Sequence, residues 1–275
     1  MPDHETLLYE EKDGVAWVTM NRPEANNSFD QTMMRELKET WRALRHNDDV
    51  RCVVLTGSGD VAFCTGIDRT QAITEGYEYR VPEPGMPGFG LNPWTYDDVG
   101  DSICPKANGL WTPVIAAVNG IACAGAFYML GEAEFVIAAD HAQFFDPHVT
   151  YGMVAAYESI HLMQKAPFQE VMRIALLGNH ERMSAERARE IGLVSEVVPL
   201  ADLHDTVDWA ASRIASQPRD AVMGTVRALW MSLHVNRRDA INLAPLVVKL
   251  GTDTENVKAG QAAFSDKTRP DYRVR

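Results

Sequence analysis

The groups in this chain best placed to do chemistry are backbone amides, held in two turns of small residues. Phe63-Cys64-Thr65-Gly66-Ile67-Asp68 and Val114-Ile115-Ala116-Ala117-Val118-Asn119-Gly120-Ile121-Ala122-Cys123-Ala124-Gly125-Ala126 each read as an apolar strand, then a tight turn, then a helix. If both turns lie at one end of the same parallel sheet, each can aim an N–H at a single point. Two such donors around a carbonyl oxygen form an oxyanion hole, and losing one typically costs roughly 10²–10³ in turnover.

Those turns need a framework. Gly14 to Met20 reads as a strand stopped by Asn21-Arg22-Pro23. A helix is expected from the Ser28-Phe29-Asp30 cap region to Leu44, with Met33, Leu37, Trp41 and Leu44 at helical spacing. Arg51–Gly57, Pro113–Asn119 and Glu134–Ala139 are continuous apolar runs, the pattern of strands buried on both faces. Strands alternating with helices imply a mostly parallel sheet covered by helices. From Glu75 to about Pro105 the rhythm breaks into prolines and glycines, with Phe89, Trp94 and Tyr96 among them; a substrate-covering loop is expected there. Beyond Gly152 the pattern is helical, with helices expected near 159–164, 169–176, 184–190, 203–216, 220–233, 238–250 and 254–264.

Bulk properties exclude several classes. The 275 residues, 46% of them hydrophobic, suffice for a full core. A formal net charge of −12 makes a poor surface for nucleic acid or anionic membrane. No apolar run approaches the ~18 residues that would mark a membrane span. The N-terminus lacks a secretory pattern, and the four cysteines show no C-x-x-C spacing. A cytoplasmic protein with buried, reduced cysteines is expected. The histidines and cysteines lack ligand spacing, so no metal site is expected.

At these residues the chain resembles the crotonase superfamily, the enoyl-CoA hydratase/isomerase family. Pro113 to Gly120 looks like that family's PVIAAVNG strand, and Phe63 to Asp68 is similar to its F-x-x-G-x-D turn. Gly178 to Val198 resembles its A-x-x-A-x-x-x-G-L-V-x-x-V-V segment, and the likeness runs from Asn21-Arg22-Pro23 to the tail at 262–270. The resemblance implies an α/β fold with a ββα spiral core over residues 1–200 and a helical trimerisation region over 201–275. A homotrimer or dimer of trimers is implied, acting on an acyl-CoA thioester without a tightly bound cofactor. Carried over by position, the oxyanion donors are the N–H groups of Ile67 and Gly125. Ala25 and Asp68 fall in segments that line the coenzyme A path. Phe264 and Lys267 match tail positions that reach coenzyme A on a neighbouring subunit. The residues themselves support the first pair: Ile67 sits on a turn leaving a buried strand, and Gly125 lets a substrate approach its backbone where a helix begins.

The pattern departs from the family at the side chains. Where a typical hydratase of this family has two glutamates, this chain has Tyr128 and His148. Imidazole, with an unperturbed pKa of about 6.5, is a usable base near neutrality, worth roughly 10²–10⁴ in rate when positioned. It needs an orienting partner. Asp146 is close in sequence, but an extended Asp146-Pro147-His148 segment would direct it elsewhere; Glu158 stands where the family has a glycine-rich segment and could face the site. Tyr128 could donate a hydrogen bond or fill the pocket. A histidine with a downstream acid is similar to the carbon–carbon-bond hydrolases of the superfamily. The expectation is therefore an acyl-CoA enzyme of hydratase or isomerase type in which His148 replaces the usual glutamate. The alternatives are C–C bond hydrolysis and a catalytically silent acyl-CoA binder. His141 is expected to be a solvated turn residue and His161 to pack on a helix.

Overall fold

The structure, a computed structural model, describes residues 4–70, 91–92, 95–96, 98–266 and 272–275. Most of the irregular stretch expected at about 75–105 lies outside these residues, as does Lys267. The chain divides into two compact units, Met1–Ala215 and Ser216–Arg275.

The first unit is built on two sheets. The larger has six strands in the order β1 (Leu7–Lys12), β2 (Val15–Met20), β3 (Cys52–Gly57), β7 (Val114–Val118), β9 (Phe135–Ala139) and β12 (Glu196–Val198). The smaller runs β11 (Met183–Ser184), β10 (Gln143–Phe145), β8 (Ile121–Cys123), β4 (Ala62–Cys64). Two short strands, β5 (Leu91–Asn92) and β6 (Thr95–Tyr96), pair separately. Three times the chain lays one strand in the large sheet and the next in the small one: β3 then β4, β7 then β8, β9 then β10. That repeated step is the spiral core expected of the fold. All pairings among these six strands are parallel.

The apolar runs do what their composition dictates. In β3, Val53 and Leu55 enter one core while Cys52 and Val54 enter the other; in β7, Val114, Ala116 and Val118 oppose Ile115 and Ala117 in the same way. One face is covered by the Gln31–Leu44 helix, whose Met33, Met34, Leu37, Trp41 and Leu44 are buried. Asp30 caps that helix by accepting from the Met33 N–H at 2.8 Å. The other face is covered by Leu203, Val207, Ala211 and Ala215, spaced four apart along the Leu200–Ala215 helix. This helix therefore belongs to the first compact unit. All four cysteines are free and buried.

Two buried asparagines fix the turns at the sheet edge. Asn27 donates to the carbonyls of Ser58 and Ala62, and Asn119 accepts from the Gly57 N–H while donating to Gly59 and Ala62. In the second unit the Arg219–His234 and Arg237–Gly251 helices meet where Gly224 faces Gly251; a Cβ on Gly224 would lie 3.3 Å from the Gly251 Cα. Among the described residues no helix is long and apolar enough to cross a membrane.

Candidate active site

Three neighbouring parallel strands of the small sheet deliver the candidate groups. β4 leads into Thr65–Asp68, β8 into Ala124 and Gly125, and β10 into Asp146–His148. Because β4, β8 and β10 are adjacent and parallel, all three turns leave the same sheet end. Open α/β sheets bind ligands at that carboxyl end.

The first two turns touch. A Cβ on Gly66, which has φ +84, would lie 2.9 Å from the Gly125 nitrogen. One on Gly125 would fall 3.2 Å from the Gly66 Cα and 2.4 Å from Cζ of buried Phe29. Both positions therefore demand glycine. Phe29 also bridges to Ile67: its N–H donates to the Gly66 carbonyl at 2.9 Å, and its carbonyl accepts from Asp68 at 2.9 Å. This pairing uses the groups flanking Ile67, so the Ile67 N–H points away from Phe29. In the second turn Ala124 holds φ +51, a strained conformation for a residue with a side chain. It precedes Gly125 at φ −57, and such an αL–αR pair turns successive amides to one side. The helix that follows, Ala126–Glu132, has only 7 residues, so the turn rather than a helix dipole positions this donor.

The third turn carries the side-chain chemistry. Asp146 Oδ1 accepts from the His148 backbone N–H at 3.0 Å and lies 2.5 Å from its Nδ1. Pro147, at φ −82 and ψ −5, bends the segment, and this bend brings the two side chains together. An extended segment would have separated them, so that expectation is corrected. Glu158, on the Tyr157–Leu162 helix, places Oε1 3.4 Å from His148 Nε2. The imidazole thus stands between two carboxylates, one at each nitrogen. Asp146 and Glu158 are buried, while the His148 side chain keeps 17% exposure and is the array's opening to solvent. Burial by itself favours the neutral ring, but the Asp146 hydrogen bond and the Glu158 and Asp146 charges outweigh it and raise the His148 pKa. Burial raises the Glu158 carboxyl against the opposing pull of His148.

The remaining expected residues are placed as follows. Tyr128 is buried, with its ring tilted against that of His161 at 4.9 Å between centroids, and it also packs on Gly100. Asp68 receives Arg22 Nη2 at 2.8 Å, and Arg22 also donates to the Ser28 carbonyl. Arg22 thus ties the short Pro23–Ala25 helix region to the Ile67 turn, bringing the Ala25 and Asp68 segments together. Phe264 lies exposed on the Thr254–Ser265 helix of the second unit. His141 is exposed with Nε2 at 2.9 Å from the Asp60 carbonyl, and His161 packs within the Tyr157–Leu162 helix.

The sequence reading missed Asp146 as a firm partner and missed a second trio, buried Cys104 with half-buried Glu132 and His161. In each trio the metal-ligating atoms lie within 4.8 Å of one another, so each could hold a divalent ion by ligand type. Only folding reveals the second trio, because its members are far apart in sequence. In the first trio the Asp146–His148 hydrogen bond already occupies one ligand pair. In the second, burial pushes the Cys104 thiol up and the Glu132 carboxyl up to about 7, favouring uncharged, non-ligating forms.

Comparison with known proteins identifies the family. The profile for enoyl-CoA hydratase/isomerase matches residues 10–275. The chain belongs to that family. It is 33% identical over 260 residues to (E)-benzylidenesuccinyl-CoA hydratase of Thauera aromatica, covering 94% of this chain and 95% of that protein. It is 31% identical to 1,2-epoxyphenylacetyl-CoA isomerase of Escherichia coli K12, covering 98% of each chain. Among solved structures, an enoyl-CoA hydratase/isomerase from Mycobacterium paratuberculosis superposes with a TM-score of 0.83 at 33% identity, covering 99% of this chain and 100% of that one. As a member of the enoyl-CoA hydratase/isomerase family, the chain is a hydratase/isomerase-like enzyme of crotonase fold, and its substrates are coenzyme A thioesters.

Proposed function

We propose that this enzyme adds water to an enoyl-CoA thioester, with His148 in place of the usual glutamate. The carrying observation is the Asp146–His148–Glu158 array at the end of the strand beside the Gly125 turn. Asp146 holds Nδ1, which leaves Nε2 as the working nitrogen, next to Glu158. Water hydrogen-bonded to Nε2, beside Glu158, loses a proton to Nε2 as its oxygen bonds to the β-carbon. The π electrons move onto the thioester oxygen, where the amides of Ile67 and Gly125 stabilise the enolate. The proton on Nε2 then passes to the α-carbon, so the hydroxyl added at the β-carbon and the hydrogen added at the α-carbon come from one water. Run without water, the same base and hole shift a double bond by moving a proton from one carbon to another.

The two relatives named above carry an aryl group in their names, which favours an aryl-bearing acyl chain here. Ala25 and Asp68 line the coenzyme A path in this reading, Phe264 and Lys267 reach coenzyme A on a neighbouring subunit of a cytoplasmic trimer or dimer of trimers, and Tyr128 shapes the pocket floor. Replacing His148 with Ala should lower kcat/KM for aryl enoyl-CoA by roughly 10²–10⁴ while leaving the thioester Kd within about threefold. Unchanged turnover would remove His148 from the mechanism. Tight binding without turnover in the wild-type protein would favour a silent binder.

A second reading has its own support. Glu158 beside His148 Nε2 is the arrangement of histidine and downstream acid that could direct water at a ketone carbon. Cleavage of a cyclic 3-oxoacyl-CoA, with no hydration of the enoyl thioester, would select C–C hydrolysis instead.

A further inference from the structure

We propose that Arg69 recognises a carboxylate on the acyl part of the substrate, so that the preferred thioester is one whose acyl chain carries a second negative charge. The inference rests on the acyl-CoA reading above and deepens it. Arg69 lies two residues after Ile67, a span of at most ~7 Å of chain. Its guanidinium sits 4.2 Å above the centre of the Tyr151 ring, and Tyr151 closes the short turn that His148 opens. The arginine therefore reaches from the proposed oxyanion turn to the base's turn, across the place where an acyl chain would lie.

The platform beneath it is fixed. Asn179 Nδ2 donates to the Tyr151 hydroxyl at 3.1 Å, and the Asn179 N–H donates to Thr150 Oγ1 at 2.9 Å. With one face covered by the ring, a guanidinium keeps its edge donors for a planar, two-oxygen partner. Among the described residues no carboxylate takes them up. Other arginines do hold carboxylates, Arg22 with Asp68, Arg173 with Glu181, and Arg187 with Glu170 and Glu190. In a chain of net charge −12, a cation beside the reactive groups that meets no carboxylate among the described residues is placed to receive one from a ligand. The Arg69 charge also reaches His148, pulling its pKa down against the two acids. An anion seated on Arg69 would relieve that pull and leave the imidazole a stronger base, coupling recognition to chemistry.

The test pairs saturated thioesters that cannot react. Calorimetric Kd values are measured for succinyl-, glutaryl- and adipyl-CoA against butyryl-, valeryl- and hexanoyl-CoA, with free coenzyme A as the reference. At least one carboxylated member should bind tenfold or more tightly than its uncharged partner. Arg69→Met should erase that difference and leave the uncharged series and free coenzyme A within about twofold, while Arg69→Lys retains part of it. A wild-type protein with no contrast along the series would overturn the proposal. So would a contrast that survives in Arg69→Met. An equal loss for every thioester and for free coenzyme A would place Arg69 on a coenzyme A phosphate instead, and also overturn it. Because binding is read without turnover, this outcome is independent of whether His148 proves to be the base.

Discussion

The short Tyr157–Leu162 helix faces two polar trios built from similar residue types, whose histidines have pKa values shifted in opposite directions. Glu158 looks towards His148 and Asp146; His161, one turn along, looks towards Cys104 and Glu132. Around His148 the acids are hydrogen-bonded or within ion-pair distance, and together they raise the imidazole pKa. Around His161 burial dominates and lowers it, leaving a neutral ring against Tyr128. Fold position alone does not make a histidine a base. What separates the two is the carboxylate hydrogen-bonded at the imidazole Nδ1, which suits His148 to the proposed role of base.

The sharpest way to break the contrast is to remove the Nδ1 carboxylate. Asp146→Asn keeps the shape but can offer Nδ1 an N–H, which favours the tautomer with its proton on Nε2. Activity should fall by about 10²-fold or more. The base works only when neutral, so activity rises with pH through the His148 pKa. Asp146 raises that pKa, and its loss should move the acid limb of kcat/KM to lower pH. A pH–rate profile reads both effects. A limb that stays in place with a loss under threefold would make Asp146 a structural residue only.

Glu132 offers the opposite trio's counterpart. Its carboxylate accepts from the N–H groups of Lys106 and Ala107, yet burial lifts its pKa from 4.5 to about 7. A carboxyl raised on folding contributes stability that is fully present below its unfolded pKa and lost as pH climbs through the folded value. The wild type should therefore lose stability between about pH 4.5 and 7 through this group. Glu132→Gln, which keeps a carbonyl acceptor and cannot ionise, should gain relative to wild type over the same window. The gain should approach ~3 kcal/mol at pH 8 and vanish near pH 4.5, read as paired Tm or denaturant midpoints. A difference independent of pH would mean that Glu132 titrates as an ordinary carboxyl.

The sheets were legible in sequence because β3, β7 and β9 are buried on both faces and must read as unbroken apolar runs. The helices beyond Gly152 were legible for the complementary reason, a one-sided pattern: the expected 220–233 and 238–250 segments are the Arg219–His234 and Arg237–Gly251 helices. β1 and the small-sheet strands β10 and β11 escaped notice, since pieces of two to six residues with one exposed side carry little periodicity. The two glycine turns could be recognised locally, whereas their contact depends on β4 and β8 being neighbours, which no single stretch encodes. Asp146 shows the same limit at smaller scale. Its partnership with His148 depends on the bend at Pro147, and the two residues on either side of a proline can as easily diverge.

The least consequential change should be at His161, and that modest outcome is what the comparison requires. If the two trios differ as described, His161 donates nothing to the reaction and serves as packing. Gly131 lies against it so closely that a Cβ there would fall 2.6 Å from the His161 Cβ, and Tyr128 rests on its ring. His161→Gln should keep kcat/KM within about threefold and leave the acid limb unmoved. It should cost about 1 kcal/mol of stability through the lost ring contact. A displaced limb or a tenfold drop would show that the second trio communicates with His148 through the helix that carries both His161 and Glu158, the only member of the first trio on that helix. Repeating the measurement in a Glu158→Gln background would then decide the route: an effect that disappears there travels through Glu158, and one that persists acts through Tyr128 and the pocket floor.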